Sequence, residues 1–556
     1  MFFPDAAVRA ATAMASAILL SAGATSAHAS EGRRAVTVDA SAVIGAIKPF
    51  TGFNGAPDMP PPPPARPLPP GVSLPGVAAG NAVAAAPLTP AQNAAFYRQL
   101  GITEARTHDT GAGDTMYGAD VNPNVIFPDK TADPENPASY NFGPTDRIIT
   151  SMAAIGVEPF FRVGDGHDGF VPDFDKYAEV VRHIVLHYNK GWGDGFRYNI
   201  KYWEFWNEPD FTLPGRAQFW AGNAQQYYDF YGKVALAIKR ADPAAWVGGP
   251  ATASDSVEFQ GPFLDYIRRN KLPFDFYTYH YYSIGSADPY DVVRLTDKIR
   301  AALVRSGFGK TPIIITEYGY DLFEPSTGAQ RPAFFSAELA YMQDTSMDRA
   351  YYHNAGVGRL FTAEGLTAAG LVYQTHASLQ ATPQRLKTSG GDDVGFHVLA
   401  GRATPASSDT GEEVRIIITN YEIPKDKRGP YENGQGMPQA APYKGDLVLQ
   451  YPKSQVALHV LPRRSPQYSQ NGGYDLTVNN LSAWADQGYV VNRYRLDGTQ
   501  TMTLVDSVRG QGRTLKLSAD LPPPAVELIV IRSDHAGAAT REGVWKPRAV
   551  ETSRPR

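Results

Sequence analysis

Two glutamates stand where the residue types around them allow acid–base and nucleophilic chemistry. Glu208 lies in the string Tyr202-Trp203-Glu204-Phe205-Trp206-Asn207-Glu208-Pro209, and Glu317 in Ile315-Thr316-Glu317-Tyr318-Gly319. Each follows a short aromatic or β-branched run that reads as a strand. If both runs are strands of one parallel barrel, the two carboxylates arrive at its C-terminal face, where such barrels hold their sites. A carboxylate pair there can break a glycosidic bond: one member protonates the leaving oxygen, while the other attacks or activates water. The plainer alternative makes both of them salt-bridge partners of the scaffold.

The elements that must position them alternate along the chain. Strand-like Ile102–His108 precedes helical Asp146–Ile155, and Val157–Val163 precedes Phe174–Tyr188, whose Tyr177, Val181, Ile184 and Tyr188 recur at helical spacing. The same rhythm runs through Tyr202–Trp206, Gln225–Arg240, Trp246–Gly249, Phe263–Arg269, Phe274–Tyr282, Tyr290–Val304, Ile313–Glu317, Ala333–Gln343, Ala350–Asn354 and Ala368–Leu379. With Phe50–Asn54 as the first strand, this makes eight β/α units and predicts a (β/α)8 TIM barrel over 48–390. From about Asp392 the period becomes two, in Val394–Leu399, Glu413–Tyr421, Asp446–Tyr451, Val456–Val460, Tyr474–Val478, Tyr489–Arg495 and Ala525–Ile531. That pattern predicts a C-terminal β-sandwich over 391–535, with the strand-like 35–47 able to join it.

Composition narrows the function. The 556 residues are 43% hydrophobic and 19% charged, with a net charge of −4, so the chain can build sizeable cores and carries no positive field to recruit nucleic acid or anionic lipid. Cysteine is absent, which excludes disulfides and thiolate metal sites. After Arg9, an uncharged Ala-rich stretch through Ile18, Leu19 and Leu20 ends in Ala27-His28-Ala29, the pattern of a signal peptide over 1–29 and of a secreted or periplasmic protein. No later apolar run reaches the ~20 residues of a spanning helix. Residues 57–76 hold ten prolines and read as an extended loop, and 541–556 read as a frayed tail.

WNEP on the fourth strand and TEYG on the seventh resemble the retaining glycosidases built on a (β/α)8 barrel, and within that clan the chain is most similar to glycoside hydrolase family 39, the family of β-xylosidases and α-L-iduronidase. RTHD at 106–109, FDFYTYHYY at 274–282, ITNYEIP around Asn420 and YVVNRYRLD around Arg495 extend the likeness over most of residues 35–532. The resemblance implies Glu208 as general acid/base and Glu317 as nucleophile, without cofactor or metal, on a carbohydrate substrate. It implies that Asn207 holds the sugar 2-hydroxyl and that Tyr282 donates to Glu317. By the same likeness His280 and His108 meet sugar hydroxyls, and Arg106 lies beneath the nucleophile. In a plainer reading Asn207 caps a loop and the two histidines are core residues.

The chain departs from the family at two strand ends. Arg162 stands where family xylosidases tend to carry an acid, and His353 where the clan usually places a tryptophan platform, so the glycone need not be xylose. Asp165, His167 and Asp168 read as a polar loop rather than as metal ligands. The expected function is a retaining, β-xylosidase-like hydrolase of plant or microbial oligo- or polysaccharides. The alternatives are an endo-acting exopolysaccharide hydrolase, a non-catalytic carbohydrate-binding barrel and, more distantly, a metal-dependent deacetylase. Nothing in the sequence fixes the oligomeric state.

Overall fold

The computed structural model describes residues 33–58, 88–107, 123–164, 173–210, 219–253, 257–282, 288–320, 329–353, 360–391, 395–404, 413–422, 472–499 and 501–534. The leader, the proline-rich loop, His108, the Asp165–Asp168 loop, the tail and the expected strands Asp446–Tyr451 and Val456–Val460 lie outside them.

β1 (Arg33–Ala46) comes first and belongs to the accessory sheet. Eight parallel strands then close a barrel: β2 (Gly52–Asn54), β3 (Glu104–Arg106), β4 (Glu158–Val163), β5 (Tyr202–Phe205), β6 (Trp246–Thr252), β7 (Phe276–Tyr282), β8 (Ile313–Gly319) and β9 (Met347–Tyr352), with β9 pairing back onto β2. The helices are α1 (Pro90–Leu100), α2 (Pro123–Ile126), α3 (Gly143–Ala153), α4 (Phe174–Lys190), α5 (Ala224–Ala241), α6 (Val257–Asn270), α7 (Asp291–Arg305), α8 (Gln330–Met342) and α9 (Ala368–Ala377). Their ends follow local chemistry. Thr89 with Gln92, and Asn223 with Gln226, form reciprocal capping boxes for α1 and α5. Asp173 caps α4, which stops at Gly191 in the left-handed region.

Strand alternation builds the barrel interior in layers. Phe160, Tyr202, Phe276, Ile314 and Tyr351 pack as an apolar floor. Two residues further along their strands come Arg162, Glu204, Thr278 and Thr316, all fully buried. The charged layer therefore lies directly under the strand ends that carry the candidate site.

A short hairpin, β10 (Phe361–Thr362) with β11 (Gly365–Leu366), precedes α9. After it come β12 (Gln384–Ser389), β13 (Phe396–Arg402), β14 (Glu413–Asn420), β15 (Gly473–Asn479), β16 (Tyr489–Leu496), β17 (Thr501–Gly510), β18 (Leu515–Asp520) and β19 (Ala525–Ser533). With β1 they form a nine-stranded sheet in the order β17-β16-β19-β14-β13-β12-β1-β15-β18, antiparallel except for β1 against β15. Apolar residues from both halves of the sheet, such as Val36, Val398 and Ile416 with Leu476, Val491 and Ile529, share one core, so the sheet folds over itself as a sandwich.

The sheet starts earlier than the pattern suggested. β12 pairs with β1 from Thr37↔Ser389 to Ala46↔Gln384, inside the stretch assigned to the barrel. Only Leu386 of its six residues is buried, so the period-two signal is faint there. Helix α8 lies between the two units and is buried along nearly its whole length. Its Ser336 hydroxyl meets His376 of α9 at 3.0 Å and Thr419 of β14 at 2.6 Å.

Candidate active site

The fourth and seventh barrel strands, β5 and β8, carry the two glutamates to one place. Oxygens of Glu208 and Glu317 lie, with a ring nitrogen of His280, within 4.8 Å of one another. The turn that presents Glu208 is strained: Trp206 has φ 74° and Glu208 φ 43°, conformations uncommon for bulky non-glycine residues. Three hydrogen bonds hold it. The Trp206 amide donates to the Val163 carbonyl at 2.8 Å, the Glu208 amide to the Ala251 carbonyl at 2.8 Å, and the Trp206 indole to the Phe219 carbonyl at 2.7 Å.

Gly164 makes that turn possible. A Cβ on Gly164 would come within 2.7 Å of the Trp206 Cα, and its φ of 152° already disfavours any side chain. Gly164→Ala is therefore expected to shift the Trp206–Glu208 turn and to cut kcat/KM by about 100-fold, the cost of a small misplacement of a reacting group. Steady-state kinetics with circular dichroism would check this; a folded variant with full activity would show that the contact is not needed.

The surroundings of the two carboxylates diverge. Glu317 accepts from Arg106 Nη1 at 2.8 Å and from the Tyr282 hydroxyl at 2.8 Å. Arg106, itself fully buried, also bonds Glu204 through Nε at 2.6 Å, Asn54 through Nη1 at 3.1 Å and the Asn207 carbonyl oxygen through Nη2 at 3.2 Å. Tyr282 spends its one proton on Glu317, so toward His353 Nδ1, its other neighbour, it acts as acceptor. His353 therefore carries its proton on Nδ1, which lies 3.4 Å from Glu317 Oε2, and burial lowers its pKa.

Glu208 has a different environment. It shares a proton with His280 Nδ1 across 2.7 Å, and burial first, then the charges of Glu317 and Asp210, push its pKa well above the ordinary 4.5. Arg106 and Arg162 offset part of that rise. Because the folded value lies above the unfolded one, Glu208 costs no stability below about pH 4.5, and the cost grows as the pH climbs toward the folded value. Glu208→Gln, which mimics the protonated form, should thus melt with the wild type near pH 4 and progressively higher than it from pH 5 to 7. Thermal unfolding across that range reads the sign directly, and a constant difference would contradict it.

Several sequence expectations land differently. His280 has no exposed surface and bonds Glu208 rather than standing open to sugar. Arg162, expected at the glycone, lies fully buried in the charged layer, where its charge acts on Glu208. Asn207 and His353 are 3% and 7% exposed at the strand ends. Sequence reasoning passed over Asn54 and Glu204. Glu204 carried a usable signal, since it sits two residues after Tyr202 on an inward-facing strand, where an unpaired acid is costly.

Among the described residues, two side-chain clusters have metal-ligand types: Glu208, His280 and Glu317, and Glu135, Glu179 and His183. In the first, Arg106 already supplies a fixed cation to Glu317. In the second, Arg182 does so for Glu135 at 2.6 Å and Glu179 at 2.7 Å.

The family model for glycosyl hydrolases family 39 matches residues 126–330, the stretch from the end of α2 to the start of α8 that holds β5, β8 and both glutamates. Over that stretch the chain matches glycoside hydrolase family 39. A β-xylosidase of Geobacillus stearothermophilus is 27% identical over 227 residues, covering 35% of this chain and 44% of the relative. The chain thus spans less than half the length of the curated relatives it matches. A glucosidase structure from Croceicoccus marinus matches 90% of this chain and 99% of its own, at 29% identity and a TM-score of 0.71. A monomeric β-xylosidase from Caulobacter crescentus shares the fold at 16% identity and a TM-score of 0.57, over 90% of this chain and 99% of that one.

Proposed function

We propose that this family 39 protein is a retaining glycoside hydrolase, β-xylosidase-like, that cleaves oligo- or polysaccharides by double displacement. The observation that carries the proposal is the separation of the two carboxylates. Oxygens within 4.8 Å lie close to the ~5–5.5 Å spacing of retaining enzymes and fall short of the ~6.5–9.5 Å of inverting ones. Glu208, held protonated by burial, donates its proton to the departing oxygen while Glu317 attacks the anomeric carbon. A water that gives its proton to Glu208 then releases the sugar from Glu317. Hydrogen bonds from a guanidinium and a phenol favour the charged form of Glu317, which selects it as nucleophile. Asn207, its carbonyl oxygen engaged by Arg106, offers its amide protons to the sugar 2-hydroxyl.

The chemistry uses side chains alone and needs no cofactor. The Ala-rich leader supports export from the cytoplasm, where glycan fragments are met. The relatives include both xylosidases and a glucosidase, and His353 stands at the strand end where the clan usually places a tryptophan, so the glycone is the property to measure first. A panel of aryl β-xylosides, β-glucosides, β-galactosides and α-arabinosides tests the reading. Turnover of at least one, with proton NMR showing retained configuration in the first-formed sugar, is expected. Inversion, or no turnover of any, would overturn it.

A further inference from the structure

A second cavity lies away from the barrel mouth, in the accessory sheet. It has a volume of about 340 Å³ and is lined by Trp484, Arg402, Gln384, Glu413 and Ser482, with Ala40 beneath. Trp484 sits in the short helical turn Ala483–Gln487 that precedes β16, half-buried, and packs against the core of the sheet. The indole is thus anchored on one side while it lines the cavity on another. The polar groups are held as firmly. Arg402 donates from Nε to Gln384 Oε1 at 2.7 Å and from Nη1 to the Ala40 carbonyl at 3.0 Å, and Glu413 is fixed by Arg415. The Arg402 Nη2 and the Gln384 amide nitrogen have no partner among the described residues, which leaves fixed donors beside a flat aromatic face.

The geometry points to a second carbohydrate-binding site, taking a neutral pyranose or a short oligosaccharide. A sugar offers an apolar C–H face and a rim of hydroxyls, and it is bound by an aromatic platform flanked by planar hydrogen-bonding side chains. The cavity provides both, at the small end of the ~300–1,000 Å³ range of small-ligand sites. One cation and one carboxylate line it, which favours neutral sugars over uronic acids or amines.

The topology separates this site from the catalytic one. β1 runs on into the N-terminal end of β2, and its last residue, Ala46, pairs with Gln384, which pairs with Arg402. The cavity therefore lies toward the floor of the barrel, opposite the strand ends that carry Glu208 and Glu317. Occupation of the cavity should leave small substrates unaffected.

The experiment reads the indole and not turnover, so it stands or falls apart from the hydrolase reading, which supplies only the choice of sugars. The chain has seven tryptophans. With 15N-labelled indoles, the Trp484 signal is identified by its loss in Trp484→Phe, and the wild-type chain is titrated with xylotriose and cellotriose. The expected result is a saturable shift of that signal with at least one sugar, weakened about tenfold or more in Ser482→Tyr, which fills the cavity from its exposed rim. Both variants should keep wild-type kcat/KM on an aryl glycoside. A Trp484 signal that neither sugar moves, or that moves equally in Ser482→Tyr, would overturn the site.

Discussion

Glu208→Ala is expected to lose about 10²- to 10⁴-fold in kcat/KM on glycosides with poor leaving groups, the range of a missing general acid, and far less on activated aryl glycosides. On the activated substrates glycosylation no longer needs a proton, while hydrolysis of the glycosyl-enzyme still needs a base, so the intermediate on Glu317 should accumulate. Azide needs no base. Added to Glu208→Ala, it should restore turnover and give a glycosyl azide of the same configuration as the substrate, after two inversions. In Glu317→Ala the nucleophile itself is gone, and azide in its cavity should attack once and give the inverted product. Proton NMR of the two azides distinguishes the roles. The opposite pattern would exchange the glutamates, and unimpaired hydrolysis in both variants would place catalysis elsewhere.

The second large effect is expected at Arg106. Its guanidinium joins four strands by bonding Asn54, Glu204, Asn207 and Glu317, and it is the cation between two buried carboxylates. Arg106→Ala would leave both carboxylates without it and should destabilise the protein by about 3–5 kcal/mol, the cost of breaking a buried pair from one side. Arg106→Lys keeps a charge but not the fork that reaches four acceptors, so it should recover stability more fully than activity. Denaturant unfolding at pH 7, paired with kcat/KM, measures both. An Arg106→Ala protein as stable as the wild type would show that the buried pairing contributes nothing.

Much of this architecture was legible because its signals were local. Most barrel strands are short apolar or aromatic runs bounded by turns, and both glutamates end such runs, so the carboxylate pair could be read from strand order alone. The positions of the side chains behind them could not. The family likeness implies His280 as a sugar ligand, yet its ring is fully buried and bonds Glu208. Asn54 ends a three-residue strand whose residues suggest nothing beyond packing, and only closure of the barrel brings it to Arg106. In the accessory sheet, β17 escaped notice because among the described residues it is an edge strand paired only with β16 and is exposed along most of its length, so neither face imposes an apolar alternation. β18 is the opposite edge, and only Leu515 and Ala519 of its six residues are buried.

The place of β1 in the sheet also sets a timetable for making the protein. Thr37 and its partner Ser389 are 352 residues apart. At the ~5–20 residues per second of synthesis, β1 waits roughly 20–70 s with both edges bare before its first neighbour is made, and longer for β15. Both the charged Arg33-Arg34 start of the strand and its exposed Ile44 fall within that interval. The barrel can close meanwhile, since all of its strands lie between the two partners. The first strand to emerge is thus among the last to be paired, and the sheet requires residues from both ends of the folded region. A deletion of 33–46 should therefore fail at the C-terminal half of the molecule, where its effect would surface as aggregation through β12 and β15 rather than as a defect in the barrel.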